Sequence, residues 1–212
     1  MKLEVSGAVD GKVYDSDVTV KVTWEYVPYT VTYSFDSTAP AGAVVPAVEN
    51  VHVGKVITLA TPAAVAGYKF NDWVVTGATK NADGTYTVGA GNVTAVGSWS
   101  AESGITYKVL RWFEIIGKDG QYAAEAEAIT FTNGVAGQIA TYNVTVPGFT
   151  YAKTEPADAI IKGDGTTLIN VYYDRKTVDV TILGEDDKPI IETEVEFEDK
   201  IQKPAEDPKP SD

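Results

Sequence analysis

The sequence predicts a mainly β protein, or small α+β modules, arranged in tandem. Three observations lead there. Val and Thr together make up roughly a quarter of the 212 residues, and aromatic residues add 10%; β-branched and aromatic side chains suit pleated, half-buried surfaces. Apolar and polar residues alternate over short runs, and no long helical period is present. The 19 Gly and 10 Pro are spread along the chain as turn punctuation.

The elements follow in order. Asp17 to Tyr26 alternates Val18, Val20, Val22 and Trp24 against Thr19, Lys21, Thr23 and Glu25, the pattern of a strand with one wet face. Tyr29 to Phe35 repeats it, with Tyr29, Val31, Tyr33 and Phe35 on one side. The Ala/Pro/Val-rich stretch from Pro40 to Val53 has room for a short helix. The run Ala124-Glu125-Ala126-Glu127-Ala128 has helical propensity, but it is short and Gly-flanked, so a strand is expected. Tyr142 to Val146, Leu168 to Arg175, Val178 to Leu183 and Ile190 to Phe197 complete the strands. Turns are expected at Lys118-Asp119-Gly120, at Gly163-Asp164-Gly165-Thr166 between Ile161 and Leu168, and at Glu185-Asp186-Asp187-Lys188.

Internal repetition organises these elements. Val5-Ser6-Gly7-Ala8, Asp10-Gly11, Val18-Thr19 and Trp24 find counterparts in Val75-Thr76-Gly77-Ala78, Asp83-Gly84, Val93-Thr94 and Trp99. The Val-Thr pairs and the Trp residues are each 75 positions apart. The chain therefore divides into residues 1–27, the C-terminal half of a repeat; 28–102, a whole module; 103–176, a second module with different landmarks; and 177–203, the start of a further repeat. Residues 204–212 are Pro-rich and charged, an extended linker. On this division the chain is a segment of a longer tandem array.

Two stretches resemble modules of bacterial surface proteins. Tyr29-Thr30-Val31-Thr32-Tyr33-Ser34-Phe35, Gly67-Tyr68-Lys69-Phe70-Asn71-Asp72-Trp73 and Val93-Thr94 to Trp99 resemble the Listeria–Bacteroides repeat (the internalin B-repeat) and its streptococcal tandem-repeat relatives. Residues 105–175 resemble the mucin-binding-protein (MucBP) module, through Val109 to Phe113, Asp119-Gly120-Gln121-Tyr122, Gly148-Phe149-Thr150-Tyr151 and Val171-Tyr172-Tyr173-Asp174-Arg175. The resemblance implies tandem β-grasp-like modules forming an elongated rod on the cell surface of a Gram-positive-type bacterium. It also implies neighbouring repeats of the same chain, a host glycoprotein or a mucin glycan as partners. No sortase-type motif occurs in the sequence, so cell wall attachment is an expectation for a longer protein.

Composition excludes several chemistries. With no Cys there is no disulfide, zinc-thiolate site or cysteine nucleophile. One His allows no His cluster, and His52 lies in the alternating Asn50-Val51-His52-Val53 with no visible partner. A net charge of -13 disfavours nucleic acid and anionic membranes as partners. No apolar run reaches the ~18 residues of a membrane span. Met1-Lys2-Leu3-Glu4 does not open a signal peptide, so extracellular location follows from the resemblance alone.

Candidate sites are few. Trp24, Trp73, Trp99 and Trp112 have the flat rings that stack on sugars, but their place on alternating strands favours core packing. The expected structural core comprises Tyr68, Phe70, Trp73, Trp24, Trp99, Trp112, Phe149, Tyr151 and Tyr172. Glu185-Asp186-Asp187 reads as a solvated turn, since calcium takes about six to eight oxygens in a set geometry. The sequons at Asn92 and Asn143 are accidental in a bacterial protein. Gly163-Asp164-Gly165 lacks the Lys-Ser/Thr of a phosphate loop. Lys–Asn or Lys–Asp isopeptide bonds remain open as cross-links in a Cys-free stalk. No catalytic residue, metal or cofactor is expected. The expectation is a non-enzymatic, monomeric stalk or adhesin region. A module recognising mucin glycans or a host protein is the alternative, and an accessory domain of a secreted glycoside hydrolase is a lesser one.

Overall fold

The computed structural model describes residues 2–6, 8–9, 12–13, 19–184 and 186–202; the side chains of the first twenty residues, Glu185 and the 204–212 linker lie outside the description. Strands and turns account for all regular structure among the described residues, which makes the fold mainly β. The chain packs as two units: Met1–Val65 with Lys69–Ser100, and Ala66–Tyr68 with Ala101–Asp212.

The first unit opens with β1 (Lys2–Ser6), β2 (Ala8–Val9), β3 (Lys12–Val13) and β4 (Thr19–Thr23). β1 pairs antiparallel with β4, and β2 with β3. Next come β5 (Tyr29–Phe35), β6 (Glu49–Val51), β7 (Val56–Ile57), β8 (Tyr68–Thr76), β9 (Ala78–Lys80), β10 (Tyr86–Val88) and β11 (Val93–Ala101). A four-stranded sheet has the order β6-β5-β11-β8, and a smaller one the order β7-β10-β9. β5 and β11 run parallel, with Val31 opposite Val93 and Phe35 opposite Gly97.

β1 to β4 follow the element order of β8 to β11: a long strand, two short antiparallel strands, then a long strand beside the first. Ser6 is the register partner of Thr19. Their counterparts Thr76 and Thr94 join through a hydroxyl–hydroxyl hydrogen bond.

The second unit contains β12 (Ser103–Ile115), β13 (Lys118–Ala124), β14 (Ile129–Val135), β15 (Phe149–Glu155) and β16 (Thr167–Arg175), then β17 (Thr177–Leu183) and β18 (Pro189–Glu196). The sheet order is β13-β12-β16-β15, with β14 also pairing with β12. β12 and β16 run parallel in register from Tyr107–Thr167 to Phe113–Tyr173. β17 and β18 form a separate antiparallel hairpin. That hairpin is fastened by Arg175, whose guanidinium donates to Phe197 O at 2.6 Å and to Glu198 at 2.9 Å. Gly148, at φ +81, leaves room for the Phe197 ring; a Cβ there would overlap it.

Several expected elements differ. The stretch from Pro40 to Val53 forms turns and the short β6, with no helix; its prolines lack the N–H a helix interior needs, and its β-branched valines lower helix propensity. Strand β13 ends at Ala124; Glu125 N still donates to Arg111 O at 2.8 Å in register with the ladder, and the chain bends at Ala126-Glu127 before β14. Tyr142 to Val146 is irregular, and Asn143 accepts a hydrogen bond from Thr145 N at 2.9 Å, a local turn in place of a ladder. The β12–β13 turn falls at Ile116-Gly117, ahead of Lys118-Asp119-Gly120.

Candidate functional site

Each unit's core is set by which side of its parallel pair is covered. In the first unit Val31, Tyr33, Val51, Ile57, Trp73, Tyr86, Val88, Val93 and Ala95 are buried together, with Phe35 and Phe70 against them. Trp73 Nε1 donates to Ala60 O at 2.9 Å. Tyr33 donates to Glu49 at 2.5 Å and accepts from Ala60 N at 3.0 Å; burial is the main cause that pushes its pKa up to about 12. Trp99, 3% exposed, packs edge-on to Phe35 and Phe70.

In the second unit the covered face carries Tyr107 and Val109 of β12, and Ile169, Val171 and Tyr173 of β16. Phe113 and Phe149 pack against it. Trp112 and Tyr172 stand one residue out of phase with these and project from the opposite face. They are register partners, and their rings stack with centroids 5.7 Å apart and planes 20° apart. Tyr122 of β13 meets Tyr172 edge-on at 5.2 Å.

Polar groups fix the three rings. Trp112 Nε1 donates to Asn170 Oδ1 at 2.9 Å, and Tyr122 donates to Asp174 at 2.6 Å. That hydrogen bond to a carboxylate is the main cause that pushes Tyr122 up to about 12. Lys153 Nζ lies 4.6 Å from the Tyr172 ring centre and pairs with Glu155 at 2.8 Å. The Glu155 hydrogen bond is in turn the first cause raising the Lys153 pKa. Two residues along β12 from Trp112 and opposite Tyr122, Glu114 is buried and accepts from Gly120 N at 2.8 Å and Arg175 N at 2.9 Å.

The result is a half-buried aromatic surface bordered by an amide, two carboxylates and an ammonium. The rings are fixed in place, Trp112 stacked on Tyr172 and Tyr122 edge-on to it, so the surface they form costs little entropy to order. Such a surface can bind a ligand with one apolar and one polar side. No cluster of three or more His, Cys, Asp or Glu able to hold a metal occurs among the described residues. Asp186 is engaged by Lys188 at 2.9 Å, while Glu185 lies outside the described residues. His52 stacks on Tyr26 at 3.8 Å.

Of the nine expected core residues, Trp73 and Trp99 are buried, while Phe70 and Phe149 are half-buried against their cores. Tyr68 is half-buried. Trp24 and Tyr151 are a correction: they are exposed, at 77% and 47%. Trp24 follows the end of β4, which pairs with β1 among the described residues, and Tyr151 lies on the edge strand β15. Trp112 and Tyr172 are a second correction, since they lie on the aromatic face outside the core. Both sit in runs of consecutive bulky residues, Arg111-Trp112-Phe113 and Tyr172-Tyr173, where alternation alone does not choose the inward phase. Asn170, Asp174 and Lys153 went unmarked in the sequence; the signal for the first two was their spacing of two from Tyr172.

Compared with known proteins, the chain matches no family profile and no curated protein. Among solved structures it matches domains 3–4 of the Streptococcal High Identity Repeats in Tandem (SHIRT) of a cell surface protein. That match has 16% identity and a TM-score of 0.27, over 70% of this chain and 98% of that one.

Proposed function

We propose that the chain is a non-enzymatic repeat region of a bacterial surface protein, serving outside the cell as a stalk or spacer. The observation that carries this reading is the recurrence of one strand plan along the chain, with β1 to β4 following β8 to β11. Repeated small modules are a means of gaining length without new chemistry. The net charge of -13 disfavours collapse of such an array on itself. The finer division into a B-repeat-like module at 28–102 and a MucBP-like module at 103–176 belongs to the same reading. Small-angle X-ray scattering of the full chain tests it: an elongated particle is expected, and a compact globule overturns it.

A second reading rests on the aromatic face of the second unit. Trp112, Tyr122 and Tyr172, with Asn170 and Asp174 beside them, suit the apolar face and hydroxyl rim of a sugar ring. In this reading the module is adhesive and takes a mucin glycan or host glycoprotein. A glycan array probed with the full chain, and with Trp112→Ala, tests it. Signal lost in the variant supports the reading, and equal or absent signal returns the module to a spacer.

A further inference from the structure

The aromatic face of the second unit already holds a cation of its own. A bulge between Tyr151 and Lys153 shifts the register of β15 on β16, so that Tyr151 lies opposite Tyr173 and Lys153 opposite Tyr172. Bulges re-aim side chains in this way. Lys153 Nζ then stands 4.6 Å from the centre of the Tyr172 ring, inside the about 6 Å of a cation–π contact. The Glu155 carboxylate takes the same ammonium at 2.8 Å. An ammonium between a ring and a carboxylate is therefore the chemistry that this face accommodates. Lys153 and Glu155 are both 53% exposed, and ion pairs so open to water are weak. One ammonium can be exchanged there for another at small cost.

The groups around it suit a sugar ring. Trp112 and Tyr172 supply the flat apolar surface. Asn170 uses its Oδ1 to accept from Trp112 Nε1, which leaves its amide N–H groups to donate to a hydroxyl. Asp174 accepts from Tyr122 on Oδ1 and keeps its second oxygen. Charge then sets the kind of sugar. Two carboxylates, Glu155 and Asp174, border the rings against the single ammonium of Lys153, on a chain of net charge -13. Such a field draws cations and repels a sugar that carries a carboxylate.

We infer that this face binds a glycan whose rings carry free amino groups, and that Lys153 is the internal occupant which such an amine displaces. The sugar ring lies on Trp112, its ammonium takes the place of Lys153 between Tyr172 and Glu155, and Asn170 donates to a hydroxyl. Lys153 sets the threshold, because a ligand must compete with a tethered group. An N-acetylated sugar has the ring and the hydroxyls but no cation, so it leaves Lys153 in place. This inference rests on the reading of the face as a sugar platform and specifies the charge of the sugar.

Isothermal titration of the full chain with a glucosamine tetramer, an N-acetylglucosamine tetramer and tetralysine tests it, at about pH 6, where amines are charged and carboxylates ionised. The glucosamine tetramer should bind at least about tenfold more tightly than either of the others. Lys153→Ala should tighten its binding, and Glu155→Gln should weaken it. Lys188→Ala removes the same charge from a side chain that is 81% exposed on the β17–β18 hairpin, and should leave the affinity unchanged. All three side chains are exposed, so the variants keep the fold. Tetralysine binding equally well reduces the site to charge attraction and overturns the inference, as does a Lys153→Ala chain that binds no better than the parent. Binding of the N-acetylated tetramer alone overturns it while the sugar-platform reading stands. Binding of neither tetramer overturns it too, and the glycan array then decides that reading separately.

Discussion

Trp24 and Trp99 stand 75 positions apart, each after a Val-Thr strand, yet one is 77% exposed and the other 3%. Phe35 and Phe70 make the difference: they pack on Trp99 at 5.6 and 5.2 Å, and Trp24 has no such partners among the described residues. Trp99→Ala should therefore destabilise the first unit by about 3–5 kcal/mol. Trp24→Ala in dilute solution should stay within about 0.5 kcal/mol of the parent. Urea denaturation followed by tryptophan fluorescence measures both.

Gly97 sits opposite Phe35 in the parallel pair, where a Cβ would come within 2.7 Å of Phe70 and 2.8 Å of Trp73. Those rings are packed against other rings and cannot swing aside freely. Gly97→Ala should lower stability by about 1–3 kcal/mol through overpacking. An unchanged urea midpoint would show that the cluster relaxes.

Acid should loosen the second unit through Glu114. Hydrogen bonds from Gly120 N first, then from Arg175 N, hold its carboxyl below the usual range. A depressed folded pKa contributes stability above the unfolded value, which is lost as pH falls through the folded one. The thermal midpoint should therefore fall as pH drops below about 4.3. Glu114→Gln should start lower and show a weaker dependence in that window.

Alkali acts through Tyr122, whose hydroxyl is held protonated up to about 12 mainly by its hydrogen bond to Asp174. A raised folded pKa gives stability that is whole below the unfolded value of about 10 and lost as pH rises towards the folded one. Absorbance titration at tyrosinate wavelengths should show a late-titrating group that Tyr122→Phe removes. Asp174→Asn should bring Tyr122 back towards the ordinary range.

The sequence was most legible where polar and apolar residues alternate without interruption. Tyr29 to Phe35 became β5 with the predicted inward phase, Val31 and Tyr33 buried. It was least legible where bulky residues are adjacent, as at Trp112-Phe113 and Tyr172-Tyr173, because period-2 reasoning needs a contrast between the two faces. Tyr142 to Val146 alternates as a strand does, but the short-range hydrogen bond of Asn143 outcompeted the ladder. The aromatic face was hidden for a related reason. Its members come from β12, β13, β15 and β16, and only the sheet order brings them together.

The parallel pairing of β12 with β16 has a mechanical meaning. Force applied through the chain on either side of these two strands pulls them past one another along their length. The hydrogen bonds between them are then loaded together in shear, whereas a hairpin pulled from its open end unzips one bond at a time. The β5–β11 pair has the same geometry. A single-molecule pulling experiment should find that each main sheet yields at a higher force than the β17–β18 hairpin. Tension would then open the hairpin first and leave both cores closed.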